Sequence, residues 1–192
     1  MGRRRLLLIR HPAAPGADGL CYGRCELPAG DGRATVAAAM ARLGGAPASV
    51  WSSPSVRCRA VAEAIATAVG TVPGVDARLH ELDFGAWEGR PWRDLPRAEV
   101  DRWIADPMEG APPGGETGAA LIARVRAFLA EVQGGEDAIS REGRGGCPVI
   151  VVVSHGGPLK ILAALIAGQQ IELWEPPPAC GSVTEPGRPP AG

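Results

Sequence analysis

Two short runs of this chain are apolar at every position. Leu6-Leu7-Leu8-Ile9 ends at Arg10-His11-Pro12, and Val149-Ile150-Val151-Val152-Val153 ends at Ser154-His155-Gly156-Gly157. Unbroken apolar runs of this length, closed by charge, Pro or Gly, predict strands buried on both faces, as in a parallel sheet. Ser49 to Ser52 reads as a further short strand. Helical spacing follows in between. Residues 34–43 place Val36, Met40 and Leu43 on one face. After Ser53-Pro54, read as a cap and a first-turn proline, Cys58, Val61, Ala62, Ile65 and Val69 recur at helical intervals. The clearest amphipathic stretch is 117–133, with Leu121, Val125, Phe128, Leu129 and Val132 on one face. Leu159 to Ile166 is apolar nearly all round, which predicts a well-buried helix.

Strands alternating with helices predict an α/β fold, a three-layer α/β/α sandwich around a mostly parallel sheet. The chain has 192 residues, enough for one well-buried domain, expected over 1–175. Residues 83–115, rich in Trp, Pro and Gly, read as an insertion over the site. The glycine-rich stretch 134–146 reads as a mobile loop, and 176–192 as a partly disordered Pro/Gly-rich tail.

Composition narrows the function classes. The formal net charge is −1, so no basic excess points to nucleic acid or a membrane surface. No stretch reaches the ~20 apolar residues needed to span a bilayer. The first residues are too short an apolar run for a secretory signal, and Arg3-Arg4-Arg5 reads as a solvated end. The 5 cysteines are scattered and odd in number, as expected of reduced thiols in a cytoplasmic protein. Cys21 and Cys25 are spaced C-x3-C without further orderly ligands, so no zinc site is expected; no cofactor is expected either.

The candidate chemistry sits where the strands stop. In open α/β sheets ligands bind outside the carboxyl ends of strands. His11 and His155 both stand there, the first beside Arg10. Read singly, each histidine could serve only to cap its strand. Arg57, near the start of a helix, adds a guanidinium whose planar donors suit phosphate oxygens, as do those of Arg10. An imidazole beside such cations is held neutral and can attack phosphorus. A second imidazole, His155, can stabilise charge on the phosphate oxygens. The leaving oxygen needs a proton. Glu81 has apolar neighbours and lies near Phe84 and Trp87, surroundings that favour a protonated carboxyl. Asp83 and Glu88 are rival acids, and His80 is read as non-catalytic.

These residues together resemble a known family. Arg10-His11-Pro12, Ser53-Pro54-x-x-Arg57, Glu81-Leu82-Asp83-Phe84-Gly85-x-Trp87-Glu88-Gly89 and Ser154-His155-Gly156-Gly157 look like the histidine phosphatase superfamily, in its motif order. The resemblance implies a phosphoglycerate mutase-like fold, His11 as phosphorylated nucleophile, Glu81 as proton donor, Arg10, Arg57 and His155 as phosphate pocket, and no metal. Within that family, the Leu20–Pro28 stretch and Pro112-Pro113-Gly114-Gly115-Glu116 look most like the alpha-ribazole phosphatases of cobalamin synthesis. Such an enzyme acts on a small-molecule phosphoester. The chain departs from the pattern at Glu26, where Asp is usual, and at Val61, where Thr is common. Ala17 stands where many mutases carry Asn, which argues against a mutase. Other readings are a broad sugar-phosphate phosphatase and a non-catalytic phosphate-binding module. A serine hydrolase is disfavoured because Ser154 lacks the G-x-S-x-G elbow.

Overall fold

A computed structural model describes residues 4–134 and 149–187. The glycine-rich stretch from 135 onward and the last five residues lie outside the described residues. In chain order the elements are β1 (Arg5–Arg10), α1 (Arg33–Leu43), β2 (Ala48–Ser52), α2 (Val56–Val69), β3 (Gly74–Val75), α3 (Arg97–Ala105), α4 (Gly118–Gly134), β4 (Val149–Ser154), α5 (Gly156–Ala167) and β5 (Val183–Thr184). Three single 3-10 turns lie between β3 and α3.

The five strands form one sheet in the order β3-β2-β4-β1-β5. All neighbours are parallel except β5, which runs antiparallel to β1. The sheet is buried on both faces, which explains why β1 and β4 read as continuous apolar runs. Side chains alternate across it. Leu6, Leu8, Ile150 and Val152 pack on one face against Val125 and Phe128 of α4 and Leu159 and Leu162 of α5. Leu7, Ile9, Val151 and Val153 pack on the other against Leu43 of α1 and Val61 and Ile65 of α2. This is the expected three-layer sandwich. Each fully buried side chain of this size stabilises the fold by about 1.5–3 kcal/mol.

The topology places the site. β1 lies beside β4, although α1, β2 and α2 intervene in sequence along with the long middle segment. Arg10 is in register with Ser154, so the residues that follow, His11 and His155, leave the sheet side by side.

Several local expectations change. α2 begins at Val56 rather than at Pro54, and the Ser53 hydroxyl does not cap it; that hydroxyl faces His155 instead. In α1 the buried face is Thr35, Ala39 and Leu43, with Val36 and Met40 only partly covered. The second half of α5, Ala163–Ile166, is only half-buried. Arg5 is no solvated end: it opens β1 and pairs with Glu185 at 2.7 Å. Beyond Pro176, where no strand was expected, the chain returns to the sheet. The Gly181 N–H donates to the carbonyls of Arg10 and His11, and Val183 and Thr184 pair with Ile9 and Leu8. Too short and too polar to show a period, this edge strand exists because β1 offers it an unpaired edge.

Candidate active site

His11 is buried at the end of β1, with 2% of its surface exposed. Its Nδ1 lies 2.7 Å from the Pro12 carbonyl oxygen. A carbonyl can only accept, so Nδ1 carries the proton of the neutral ring and Nε2 keeps the lone pair. Burial, and then the charges of Arg57 and Arg10, lower its pKa to about 4 against the pull of the Pro12 carbonyl. At neutral pH the ring is therefore an uncharged base.

His155 stands at the N-terminus of α5, with ring centroids 5.1 Å from His11. Arg57 Nη2 donates to its Nδ1 at 3.2 Å, and its Nε2 is 2.7 Å from the Ser53 hydroxyl. Burial and the neighbouring Arg57 hold its pKa well below the usual histidine range. Arg57 itself is fully buried. Its other partners are the carbonyls of Cys25 and Gly23 and the face of Tyr22, 5.3 Å away, not carboxylates. Arg10 donates to the Pro178 carbonyl at 2.6 Å. The Nε atoms of both arginines are buried without a hydrogen-bond partner. Two uncompensated guanidiniums, two neutral imidazoles and the N-terminus of α5 thus converge, an arrangement that favours an anion.

Glu81 borders this cluster. Its oxygens accept from the N–H groups of Leu82 at 2.9 Å and Gly157 at 3.1 Å. A side chain at Gly157 would press on Glu81 Oε1 and push the carboxylate from this position. The rival carboxylates are engaged elsewhere. Glu88 accepts from the backbone N–H groups of Gly23, Arg24, Cys25 and Phe84. Burial pushes its pKa up, but those four donors outweigh it and hold it below the ordinary range. Asp83 accepts from Gly85 and pairs with Arg24.

The structure therefore brings together Arg10, His11, Arg57, Glu81 and His155. It also gives several residues roles that the sequence did not show. Glu88 pins the loop whose carbonyls at 23 and 25 hold Arg57. Arg124 of α4 donates to the carbonyls of Arg78, His80 and Glu81, fixing the segment that carries Glu81, and is itself paired with Glu116 at 2.7 Å. Ser53 and the buried Cys58 thiol, 3.5 Å from Nε2, flank His155. The one usable signal was that Glu116 and Arg124 stand eight residues apart around a helix start, which alone suggests only an ion pair. Among the described residues no three His, Cys, Asp or Glu side chains are grouped to hold a metal ion, and no helix is long and apolar enough to cross a membrane.

Two arginines and two neutral imidazoles gathered at the carboxyl ends of a parallel sheet make a candidate anion site in an α/β protein. The family model of the histidine phosphatase superfamily (branch 1) matches residues 6–186, and the chain belongs to that superfamily. It is 36% identical over 169 residues to a bifunctional protein of Mycobacterium tuberculosis, covering 84% of this chain and 43% of that one. It is 29% identical over 194 residues to the glucosyl-3-phosphoglycerate phosphatase of Mycobacterium tuberculosis, covering 95% of this chain and 82% of that one. The fold superposes on the crystal structure of the alpha-ribazole phosphatase from Shigella flexneri with a TM-score of 0.76 at 26% identity, over 93% of this chain and 88% of that one. The chain thus spans less than half the length of the first of these relatives. Two of these relatives carry phosphatase in their names.

Proposed function

We propose that this protein hydrolyses phosphate monoesters through a phosphohistidine at His11. One observation carries the reading: the unprotonated His11 Nε2 lies in a buried pocket beside His155 and with Arg10 and Arg57, whose unpartnered Nε donors suit a phosphoryl group. Nε2 attacks phosphorus, and the bond to the ester oxygen breaks as Glu81 gives that oxygen a proton. Water then attacks the phosphohistidine while Glu81 takes a proton back, releasing inorganic phosphate and neutral His11. Arg10 and Arg57 spread the charge that builds on the phosphoryl oxygens.

His155 can join them only after a change of tautomer. Beside Arg57 its Nδ1 is an acceptor; to donate to phosphate it must carry the proton there. The Ser53 hydroxyl, both donor and acceptor, permits this by donating to Nε2 instead.

The substrate reading is alpha-ribazole 5'-phosphate. Its support is the likeness of the Leu20–Pro28 and Pro112–Glu116 segments to that branch, together with the fold likeness to the alpha-ribazole phosphatase of Shigella flexneri. The test is phosphate release from alpha-ribazole 5'-phosphate, adenosylcobalamin phosphate, glucosyl-3-phosphoglycerate and phosphoglycerates. Acid- and base-quenched samples should show an acid-labile, base-stable phosphate on the protein. His11→Ala should abolish both turnover and labelling. Undiminished turnover in that variant would overturn the assignment.

A further inference from the structure

Cys58 is a buried thiol that the reaction does not use. It lies in the first turn of α2, next to Arg57, and none of its surface is exposed. Its sulfur stands 3.5 Å from His155 Nε2 and 3.9 Å from Nδ1. Burial pushes its pKa up, against Arg57 and a hydrogen bond from Ser53, so at neutral pH it stays a protonated thiol. It is therefore no nucleophile. A protonated thiol is nevertheless both a weak donor and a weak acceptor.

The protons around His155 give that property a use. With Nδ1 accepting from Arg57, the neutral ring carries its proton on Nε2 and donates it to the Ser53 hydroxyl. That oxygen also accepts from the Ser55 N–H at 3.4 Å, so both its lone pairs are taken. Its own proton must point elsewhere. Among the described residues no carbonyl or carboxylate accepts it; the Cys58 sulfur does. The resting chain thus runs from Nε2–H to Oγ–H to Sγ. When Nδ1 carries the ring proton, Nε2 becomes the acceptor. The hydroxyl then donates to Nε2, and the thiol can donate to the hydroxyl oxygen. The chain runs the other way, from Sγ–H to Oγ–H to Nε2. Ser53 and Cys58 keep their protons and only rotate them. The ring loses one proton at Nε2 and gains one at Nδ1 through solvent, so the total charge is unchanged.

We propose that Cys58 is a positioning residue for His155. It ends a reversible hydrogen-bond chain through Ser53 that holds the ring as an acceptor for Arg57 before phosphate binds, and as a donor to phosphate afterwards. The proposal rests on His155 meeting phosphate as described under Proposed function. Alanine at position 58 keeps the second arrangement and loses the first, because only in the first does the Ser53 hydroxyl need an acceptor there.

The chain has three histidines, so ring 15N correlation spectra can follow the His155 tautomer directly. In the phosphate-free protein the Nε2–H form should dominate, and saturating inorganic phosphate should convert it to the Nδ1–H form. Cys58→Ala should shift the phosphate-free ratio toward Nδ1–H by about fivefold or more, the lower end for leaving a buried hydroxyl unpaired. Inorganic phosphate should then bind that variant more tightly, since more of the protein starts in the binding tautomer. Cys58→Ser keeps a donor and an acceptor and should return both values close to wild type. A thiol that served only as packing would leave the tautomers unchanged and phosphate binding equal or weaker. The unsubstituted protein gives a second reading. The infrared S–H band of Cys58, identified by its absence in Cys58→Ser, should move to lower wavenumber when phosphate binds, as the thiol becomes a donor. If phosphate moves no histidine signal at all, the phosphate reading under Proposed function fails, and the phosphate-free ratio alone decides the chain. Where phosphate does bind, a stationary S–H band overturns the proposal, as does an unchanged phosphate-free ratio in Cys58→Ala.

Discussion

The two ends of the cleft are made in different ways. At the phosphate end every key side chain is fixed by the sheet or by backbone carbonyls. β1 delivers Arg10 and His11, β4 delivers His155, and the loop carbonyls at 23 and 25 hold Arg57. At the leaving-group end a cavity borders Glu81, and its wall comes from outside the sheet: Phe84 from a turn, Trp103 from α3, Trp174 from the segment after α5. The first end is buried, charged and held by hydrogen bonds. The second is aromatic, held by packing and partly open. On the proposed function, such a division would let one phosphate chemistry be kept while the wall varies, because changes in the wall leave the strand ends untouched.

Glu81 stands on the border, and its substitution tests the division most sharply. General acid catalysis is worth about 10²–10⁴-fold. Glu81→Gln should lower turnover of an alkyl ester such as alpha-ribazole 5'-phosphate by that order. A nitrophenyl ester, whose phenolate leaves with little help, should lose far less. Steady-state rates on the two esters check this. Equal losses on both would move the acid away from Glu81. Glu88→Gln, by contrast, should act on both esters alike and lower stability, because it loosens the loop that holds Arg57.

Within the phosphate end, Arg57→Ala and His155→Ala should each cost about 10²–10³-fold in kcat with any leaving group, the range for loss of one donor to a developing negative charge. Rates on both ester types, with circular dichroism to verify the fold, distinguish this from the leaving-group end. A loss that depends on the ring of the substrate would erase the difference between the two ends.

The contrast also explains what the sequence disclosed. The meeting of the two histidines was legible because it is local: each is welded to an apolar run whose strand character is evident, and register then brings the two together. Arg57 was legible for the wrong local reason. Ser53 was read as the helix cap, but its hydroxyl is taken by His155, a partner 102 residues away. Glu88 looked like a plausible acid because spacing does not show that four backbone donors surround it. The aromatic wall was legible in part: residues 83–115 were read as an insertion over the site, and they supply Phe84 and Trp103, whereas Trp174 comes from beyond them. Trp103 and Trp174 meet only through tertiary packing, and no period in the chain links them. The return strand Val183–Thr184 was hidden for the same reason, since two residues carry no pattern and only the free edge of β1 makes them a strand.

The last and smallest expected effect concerns pH, and it too separates the two ends. An ordinary histidine titrates near ~6.5, whereas His11 is held at about 4 by burial and then by Arg57 and Arg10. Above the ordinary value neither the folded nor the unfolded chain binds this proton, so His11 contributes no pH dependence there. Between that value and about 4 the unfolded chain takes up the proton and the folded chain does not, so stability must fall as pH falls. Below about 4 both states are protonated and the loss levels off, at about 3 kcal/mol for a shift of this size. His155, also depressed, adds to the decline in the same direction. Urea unfolding midpoints across this range measure it, with a constant slope m showing that the unfolded state is unchanged. His11→Asn should remove part of the decline, whereas Trp174→Ala should leave it as it is, since no imidazole lies in the aromatic wall. An unaltered pH profile in His11→Asn would mean that the ring is not held neutral by its burial, and the proposed nucleophilic role of His11 would lose the feature it rests on.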